Sequence, residues 1–378
     1  MKEYGQDVTQ NYVTGYIATK TERTPMSDTP TRREFLLTAS MAALVSQHVA
    51  GQSTAVQPFP FQRVETTGVT LRCAIEGVGP LVIMVHGFPE LWYSWRHQIR
   101  PVANAGFRVV APDVRGYGES DKPHPVAAYD MVSLTGDIVG LIDALGEDQA
   151  ILVGHDWGAP ICWNTAALHP ERIAAVAGLS VPFFQRGPAP SLENWRNLYG
   201  NGFFYQLYFE TEGVAEAAFE ADVRTALRKL YYTISGDGEH APLHSLSAPE
   251  PIDDVVGTMV DPHPFPSWMT EADLDYFTAA FERGGFRGPL NRYRAQERDW
   301  ELLPQLSRLQ VHQPSTFIAG ALDPVRTFVP GVDLYAGAGA NCTDFRGSTI
   351  IDGKGHWIQQ EAPDEVTGAL LGFLDELD

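Results

Sequence analysis

The residues with the clearest chemical potential lie in the pentapeptide Gly154-His155-Asp156-Trp157-Gly158. An apolar run, Ala150 to Val153, leads into this pentapeptide, and a second apolar stretch with helical spacing follows it. A sharp turn between a strand and a helix displays its central side chain to a ligand, and here that side chain is the Asp156 carboxylate. A carboxylate that attacks a saturated carbon leaves an ester on the protein, which a base and a water molecule must then hydrolyse. Epoxides and alkyl halides are the substrates for which that route makes chemical sense.

A base for the second step is found late in the chain. His356 lies in a glycine-containing loop just after an apolar run. Asp323 follows another apolar run, Thr316 to Ala319, and is the acid expected to orient the histidine. The order nucleophile, acid, histidine is the one used by hydrolases whose nucleophile sits on a strand-to-helix turn. Asp344 and Asp352 are weaker candidates for the acid.

Backbone amides near the nucleophile predict a site for developing negative charge. The loop His86-Gly87-Phe88-Pro89 follows an apolar run, and its glycine lets the backbone approach closely. The amides of Phe88 and Trp157 are expected to form an oxyanion hole. Phe88, Pro89 and Trp157 are also expected to contact the substrate. The Phe88-Pro89 bond is a candidate for cis geometry, and the histidine of the loop is interpreted as structural.

These residues require a framework that brings them together. Short apolar runs predict strands buried on both faces, and the segments between them carry apolar residues at helical spacing. Strand and helix alternate through about residue 182 and again from about Pro314, which predicts an α/β fold with a mostly parallel central sheet flanked by helices. Catalytic groups should then lie at the carboxyl ends of the strands. The predicted strand runs are Leu81–Val85, Phe107–Ala111, Ala150–Gly154, Ile173–Ser180 and Thr316–Ala319.

The segment from about residue 183 to 300 has a different pattern. It is richer in helix formers and aromatic residues and contains no buried-strand run. Val214 to Tyr232 predicts one helix. Thr270-Glu271-Ala272-Asp273 predicts a capping box at the start of another helix, which should end at Gly284-Gly285. We interpret this segment as a helical cap inserted between two halves of the core. The predicted division is therefore an N-terminal extension at 1–56, core at 57–182, cap at 183–300 and core again at 301–378.

The N-terminal extension carries a candidate export signal. The pair Arg32-Arg33 precedes an uncharged stretch, Phe35 to Val45, and small residues follow around Val49 to Gly51. This pattern resembles a twin-arginine signal and predicts a periplasmic or secreted protein that uses the export machinery. The alternative is a disordered tail with a chance arginine pair, in which case the protein is cytoplasmic.

Bulk properties exclude several classes of partner. The 378 residues carry 27 Lys and Arg against 47 Asp and Glu, a formal charge of −20, which argues against nucleic acid and against an anionic membrane surface. Nothing resembles a dinucleotide fingerprint, a P-loop or a metal site, so no cofactor and no metal are expected. Three scattered cysteines leave a Cys73–Cys342 disulfide open in an oxidising compartment. The oligomeric state also stays open, with a homodimer as one alternative.

Taken together, the motifs resemble those of an α/β-hydrolase of the epoxide hydrolase family, of the soluble or microbial type with two cap tyrosines. The likeness covers roughly Pro58 to the C-terminus. The family places the two tyrosines over the nucleophile, and the matching positions are Tyr205 and Tyr293. The resemblance implies that they hydrogen-bond to the epoxide oxygen and supply a proton as the ring opens. The matching segments are His86–Glu90, Asp113–Asp121, Gly154–Gly158, Tyr205–Glu210 and Gly285–Arg294.

The resemblance implies an enzyme that converts an epoxide and water into a vicinal diol without a cofactor. The core motifs are shared with haloalkane and haloacetate dehalogenases, which are the alternative. Phe88 has no side-chain donor for a halide, and Trp157 replaces the arginine of haloacetate enzymes. Arg292 stands where the family usually has tryptophan, and Glu210 to Gly213 replaces Gln-x-Pro-Gly, so cap shape and substrate preference are in question.

Each candidate residue also has a structural interpretation. Asp156 could cap the helix that follows it, and Asp323 could serve only as a turn residue before proline. The tyrosines Tyr205 and Tyr293 could be ordinary packing aromatics. An exported binding domain with a decayed site is the non-enzymatic alternative, and it is weakened because each expected catalytic position is filled.

Overall fold

A computed structural model describes residues 59–238, 243–246 and 254–377 of the chain. The predicted export signal and the rest of the extension at 1–56 lie outside the described residues. Within the described ranges, no helix combines the length and the apolar character needed to cross a bilayer.

The core is an eight-stranded sheet in the spatial order β1-β2-β4-β3-β5-β6-β9-β10. The pairs β1–β2 and β2–β4 are antiparallel, and the remaining pairs are parallel, so the predicted mostly parallel sheet is confirmed. A separate two-stranded ribbon joins β7 and β8. The strands are β1 (Phe61–Glu65), β2 (Thr70–Glu76), β3 (Leu81–Val85), β4 (Arg108–Pro112), β5 (Ala150–His155), β6 (Ile173–Leu179), β7 (Phe203–Phe204), β8 (His244–Ser245), β9 (Val311–Gly320) and β10 (Cys342–Ile351).

Burial across the sheet explains why the apolar runs were informative. Every residue of β3 and β5 is buried, as expected for central parallel strands covered by helices on both faces. The edge strand β10 has no fully buried residue. Cys73 on β2 and Cys342 on β10 are both free. They are six strand positions apart in the sheet, which is roughly 30 Å at the usual strand spacing. The Cys73–Cys342 disulfide left open by the sequence is therefore absent, because the gap far exceeds disulfide reach.

Helices cover the sheet and fill the segment between β6 and β9. We call helices α4 to α10, defined below, the cap. The helices are α1 (Ile99–Asn104), α2 (Met131–Ala144), α3 (Gly158–Leu168), α4 (Ser191–Tyr199), α5 (Tyr205–Tyr208), α6 (Val214–Glu220), α7 (Val223–Thr233), α8 (Glu271–Gly284), α9 (Arg287–Arg294), α10 (Gln296–Leu302), α11 (Ile358–Glu361) and α12 (Pro363–Asp375).

The cap confirms one local prediction and corrects another. Thr270 and Asp273 form the predicted capping box at the start of α8, and the Asp273 amide donates to Thr270 Oγ1 over 3.2 Å. The single helix predicted from Val214 to Tyr232 is wrong, since the segment forms α6 and α7. Asp222 interrupts it with an extended backbone, φ −154° and ψ 90°, and its side chain accepts from the Thr225 amide over 3.0 Å. An aspartate at this position favours a new N-cap over continuation of the helix.

Aromatic side chains join the cap to the core above β3. The ring of Phe88 lies edge-on to four cap rings, with centroid distances of 5.4 Å to Tyr293, 5.7 Å to Phe209, 6.0 Å to Phe219 and 6.4 Å to Phe286. Edge-to-face pairs at these distances add to the stabilisation from burial. The loop that carries Phe88 is thereby held between the sheet and the cap, directly beside the candidate site.

Candidate active site

Asp156 occupies the strained turn that the sequence predicted. Strand β5 ends at His155, α3 begins at Gly158, and Asp156 has φ +50°. A non-glycine residue in this region of φ and ψ is uncommon and marks functional turns. The turn is tight because a Cβ on Gly158 would lie 2.0 Å from the carbonyl oxygen of Val85. Glycine is therefore required here, and the close crossing displays the Asp156 carboxylate above the carboxyl end of β5.

The backbone of the loop after β3 holds one oxygen of this carboxylate. The amide of Phe88 donates to Asp156 Oδ1 over 2.7 Å. A Cβ on Gly87 would lie 2.3 Å from the same oxygen, so only glycine permits this approach. The Phe88-Pro89 bond is cis, as predicted. Asp156 Oδ1 thus lies in the candidate oxyanion hole, against the Phe88 amide.

His356 and Asp323 face the other oxygen. His356 Nε2 lies 3.4 Å from Asp156 Oδ2, and its Nδ1 lies 3.1 Å from both Asp323 oxygens. Asp323 follows β9 and is 2% exposed, and it also accepts from the Val325 amide over 2.9 Å. The three predicted residues therefore form one continuous series, with an ion-pair contact from Asp156 to His356 and hydrogen bonds from His356 to Asp323, at the carboxyl ends of β5, β9 and β10.

Electrostatics in this series favour a charged pair. Burial by itself lowers the pKa of His356, but the carboxylates of Asp323 and Asp156 outweigh burial and hold this pKa well above its usual value. Burial raises the pKa of Asp323, but His356 and the hydrogen bonds to the carboxylate have the larger summed effect and lower it. The two neighbouring carboxylates therefore favour the protonated form of His356. Loss of the Asp156 charge on ester formation would remove one of the groups that raise its pKa.

Tyr205 and Tyr293 meet above this series. Tyr205 begins α5 and Tyr293 lies on α9, and their ring centroids are 5.8 Å apart at an interplanar angle of 78°. Burial raises the pKa of both phenols, with the Asp156 charge acting in the same direction. Both hydroxyls consequently stay protonated near neutral pH and are available as hydrogen-bond donors.

A cavity lies between the triad and the cap. Its titratable lining residues are Asp156, His356, Tyr205 and Tyr293, and its other walls are apolar. Pro89 and Trp157 are not among the described residues that line it, although both were predicted to contact substrate. The apolar lining residues are Phe88, Phe209, Phe219, Leu230, Ile234, Leu243, Val255, Met259, Pro324, Val325 and Phe328.

Comparison with known proteins agrees with the observed fold. Residues 80–363 match the family model for the alpha/beta hydrolase fold. Epoxide hydrolase A of Mycobacterium tuberculosis is 43% identical over 320 residues, which cover 83% of this chain and 97% of the relative. Epoxide hydrolase 2 of Siraitia grosvenorii is 38% identical over 316 residues, covering 82% of this chain and 96% of the relative. The crystal structure of epoxide hydrolase A from Mycobacterium thermoresistibile has a TM-score of 0.78 at 42% identity and covers 84% of this chain and 98% of its own.

The chain belongs to the epoxide hydrolase family. It is an enzyme of the α/β-hydrolase fold, as the motifs had indicated. Among its described residues, no cluster of three or more His, Cys, Asp or Glu side chains could hold a metal ion.

In this epoxide hydrolase family member, Arg292 lies on cap helix α9 at the position where the resemblance implied a tryptophan. Arg292 is buried, forms an ion pair with Asp299 and donates to the carbonyl of Tyr129 over 2.5 Å. Its guanidinium lies 4.6 Å above the ring of Trp157, a cation–π contact. Trp157 in turn lies edge-on to Tyr293, with ring centroids 5.3 Å apart. Arg292 thus occupies the position of the expected tryptophan and stacks on the neighbouring ring of Trp157.

Supporting residues below His356 were missed by sequence reasoning. His155 Nε2 and the Ser180 hydroxyl donate to the His356 carbonyl over 2.7 and 3.0 Å. His155 Nδ1 lies 2.7 Å from Glu90, and this neighbour outweighs burial and lowers the pKa of Glu90 to about 2. The adjacency of His155 to the nucleophile was the only sequence signal for this layer. His86, by contrast, accepts from the Val114 amide over 2.9 Å, which agrees with its structural interpretation.

Proposed function

We propose that this enzyme converts an epoxide into a vicinal diol through an ester on Asp156. The observation that carries the proposal is the difference in surroundings between the two oxygens of Asp156. Oδ1 accepts from the Phe88 amide, whereas Oδ2 faces His356 and the cavity below two tyrosine hydroxyls. The free oxygen is the nucleophile, and the held oxygen accumulates charge when the ester is hydrolysed.

In the first step, Asp156 Oδ2 attacks an epoxide carbon from the side opposite the C–O bond. The new C–O bond to Asp156 forms as the ring C–O bond breaks, and the ring oxygen takes a proton from a tyrosine hydroxyl. Tyr205 and Tyr293 supply neutral O–H donors because their pKa values are raised. Donors already oriented toward the oxygen stabilise the developing alkoxide without the reorganisation that water would need.

In the second step, His356 takes a proton from water and the hydroxide attacks the acyl carbon of Asp156. The ester carries no negative charge, so one of the two carboxylates that raised the pKa of His356 is gone. His356 can then release its proton to bulk water and act as a base while Asp323 keeps it oriented. Bulk water returns that proton to His356 once the Asp156 carboxylate is restored. The tetrahedral oxyanion forms on Oδ1 beside the Phe88 amide, with the Trp157 amide as the proposed second donor. Collapse releases the diol, with His356 protonating the leaving oxygen, and the second proton of water restores the tyrosine.

Halide release is the alternative for the same nucleophile and base. A halide departs as an anion, needs no proton, and is stabilised by indole or amide N–H groups. Among the described residues that line the cavity there is no tryptophan, asparagine or glutamine side chain. The cavity instead presents two phenols, which suit an alkoxide that must be protonated. This observation favours epoxides over alkyl halides.

Trapping of the ester tests the proposal. The His356→Gln variant should accumulate a covalent adduct on Asp156 after mixing with styrene oxide, detected by mass spectrometry of the digested protein. Asp156→Ala is the matched control and should show no adduct. Under single turnover in heavy-oxygen water, the label should enter Asp156 rather than the diol. Label that appears directly in the diol would overturn covalent catalysis, and bromide release from 1-bromobutane without diol formation from styrene oxide would favour dehalogenation.

We further propose that the enzyme is exported. Support comes from Arg32-Arg33 and the uncharged stretch Phe35 to Val45, both in the N-terminal extension. N-terminal sequencing of the protein from its native host should find a start between about 47 and 58, as expected for cleavage after the small residues that end the signal. Intact Met1 or Met26 on cytoplasmic protein would contradict export. Sedimentation of the mature protein would test the homodimer alternative.

A further inference from the structure

Two buried glutamines lie behind Tyr205 in the cap. Gln206 Nε2 donates to the Tyr205 hydroxyl oxygen over 3.0 Å. Gln296 Nε2 donates to Gln206 Oε1 over 3.1 Å and to the backbone carbonyl of Tyr293 over 3.0 Å. Gln206 is 8% exposed and Gln296 is 7% exposed. The two amides thus form a short chain from the end of α9 to the phenol of Tyr205.

The direction of both amides follows from the backbone. A carbonyl oxygen only accepts, so the Gln296 group beside Tyr293 must be its NH2. The same NH2 reaches Gln206, which must therefore present its oxygen to Gln296. The NH2 of Gln206 is left facing Tyr205. Gln206 is consequently a donor to Tyr205, because the backbone carbonyl of Tyr293 fixes the orientation of both amides.

The two tyrosines consequently differ in how the glutamines contact them. The Tyr205 phenol oxygen accepts from Gln206 Nε2, whereas Gln296 contacts the backbone carbonyl of Tyr293. Because Gln206 presents an N–H to Tyr205, the Tyr205 O–H cannot donate to Gln206 and can point into the cavity that Tyr205 lines. The conjugate base of Tyr205 would keep this N–H donor, which favours its negative charge.

We propose that Gln206, held by Gln296, is a positioning residue that makes Tyr205 the proton donor of the two cap tyrosines. The proposal rests on the proposed ring opening by Asp156. As the ring C–O bond breaks, the Tyr205 O–H bond breaks and an O–H bond forms on the former epoxide oxygen. The negative charge stays on the Tyr205 oxygen, stabilised by the Gln206 N–H, until the proton released in ester hydrolysis restores the phenol.

The decisive experiment separates ring opening from ester hydrolysis in Gln206→Glu. A carboxylate of the same shape cannot donate to Tyr205 and would accept its proton instead. Single-turnover quenching with styrene oxide should show ester formation slowed by about 10- to 100-fold, the usual loss for one hydrogen bond to a charged group. Hydrolysis of the ester should keep its rate, since Tyr205 takes up its proton only after hydroxide has attacked the acyl carbon of Asp156. Gln310→Glu is the matched control at an exposed glutamine and should change neither step.

Two further backgrounds distinguish positioning from packing. In Tyr205→Phe, the Gln206→Glu change should cause no additional loss because the proton donor is already absent. In Tyr293→Phe, the same change should keep its full effect. Equal losses in both backgrounds, or equal slowing of both steps, would overturn the proposal and leave Gln206 as a packing residue. If Gln206→Glu does not fold, as judged by circular dichroism, Gln296→Leu tests the same pattern by releasing Gln206.

A failure of the proposed function would look different. In that case the His356→Gln parent would form no ester on Asp156 with any epoxide tested. If the parent forms the ester and Gln206→Glu forms it equally fast, only the role of Gln206 is overturned.

Discussion

The two halves of the active site are built by different means. Asp156, His356 and Asp323 sit in turns at the carboxyl ends of parallel strands, and backbone groups set their positions. The Phe88 amide holds Asp156, and the Val325 amide donates to Asp323 Oδ1 over 2.9 Å. These contacts come from neighbouring strands and loops of one rigid sheet, which suits groups that must stay aligned through two chemical steps.

The cap tyrosines are positioned through side chains instead. Tyr205 is held by Gln206, and Tyr293 contacts Trp157, on which Arg292 stacks. The helices that carry the tyrosines, α5 and α9, belong to the cap and not to the main sheet. In the proposed mechanism, the sheet edge supplies the nucleophile and base, whereas the cap supplies the proton for the ring oxygen. Changes at Asp323 and His356 should therefore affect ester hydrolysis most, and changes at the cap tyrosines should affect ring opening most.

The largest expected effect is on the sheet side. Asp323→Asn should slow hydrolysis of the Asp156 ester by roughly 10⁴-fold, the loss seen when the acid of a hydrolytic triad no longer holds its histidine in the working tautomer. Ring opening should fall much less, so the ester should accumulate in rapid-quench mass spectrometry. Asp352→Asn, an exposed acid in a nearby turn, is the control. Equal slowing of the two steps would break the division between the regions.

The cap counterpart is the double variant Tyr205→Phe/Tyr293→Phe. Loss of both proton donors should slow ring opening by about 10²- to 10⁴-fold, the range of general acid catalysis. Any ester that forms should hydrolyse at the normal rate. Tyr232→Phe, at a cap tyrosine outside the cavity, should behave as the parent. Unchanged turnover of the double variant would refute the role of the cap in proton transfer.

A smaller loss should follow from Gly87→Ala. The added methyl would lie 2.3 Å from Asp156 Oδ1 and 2.4 Å from Asp156 Cβ, so the carboxylate must move. Displacement of a nucleophile by about 1 Å can cost about 10²-fold in rate, and the loss should appear in ester formation. Gly136→Ala places its methyl in open space on α2 and serves as the control. A Gly87→Ala enzyme with parental rates would show that the backbone does not set the position of Asp156.

The same contrast explains which features the sequence could predict. Asp156 and its turn are specified within a few residues, because an apolar strand, glycines and a helix lie side by side in the chain. The capping box of Thr270 is equally local. Asp323 and His356 were found because each directly follows an apolar strand run, so their meeting at the sheet edge follows from parallel topology.

Features that depend on contacts between distant segments were not predictable in this way. Gln206 and Gln296 are 90 residues apart and meet only through the packing of α5 against α10. The cavity walls come from four or more cap and core segments with no shared motif. The break at Asp222 was missed because the apolar spacing continues across it, while the capping preference of one side chain decided the outcome.

The smallest effect tests the charge pairing in the sheet half. The folded-state pKa of His356 is raised above its unfolded value of about 6.5, so its contribution to stability is complete below that pH and is lost as pH rises through the folded-state pKa. His356→Gln should therefore lower the free energy of unfolding more at pH 6 than at pH 9, as measured by urea denaturation. The control variant His312→Gln, at an exposed histidine on β9, should change the free energy of unfolding equally at the two pH values. If the loss in free energy of unfolding caused by His356→Gln is constant or grows with pH, the imidazole is not held as a cation between Asp323 and Asp156. The sheet half would then owe its alignment to backbone contacts alone.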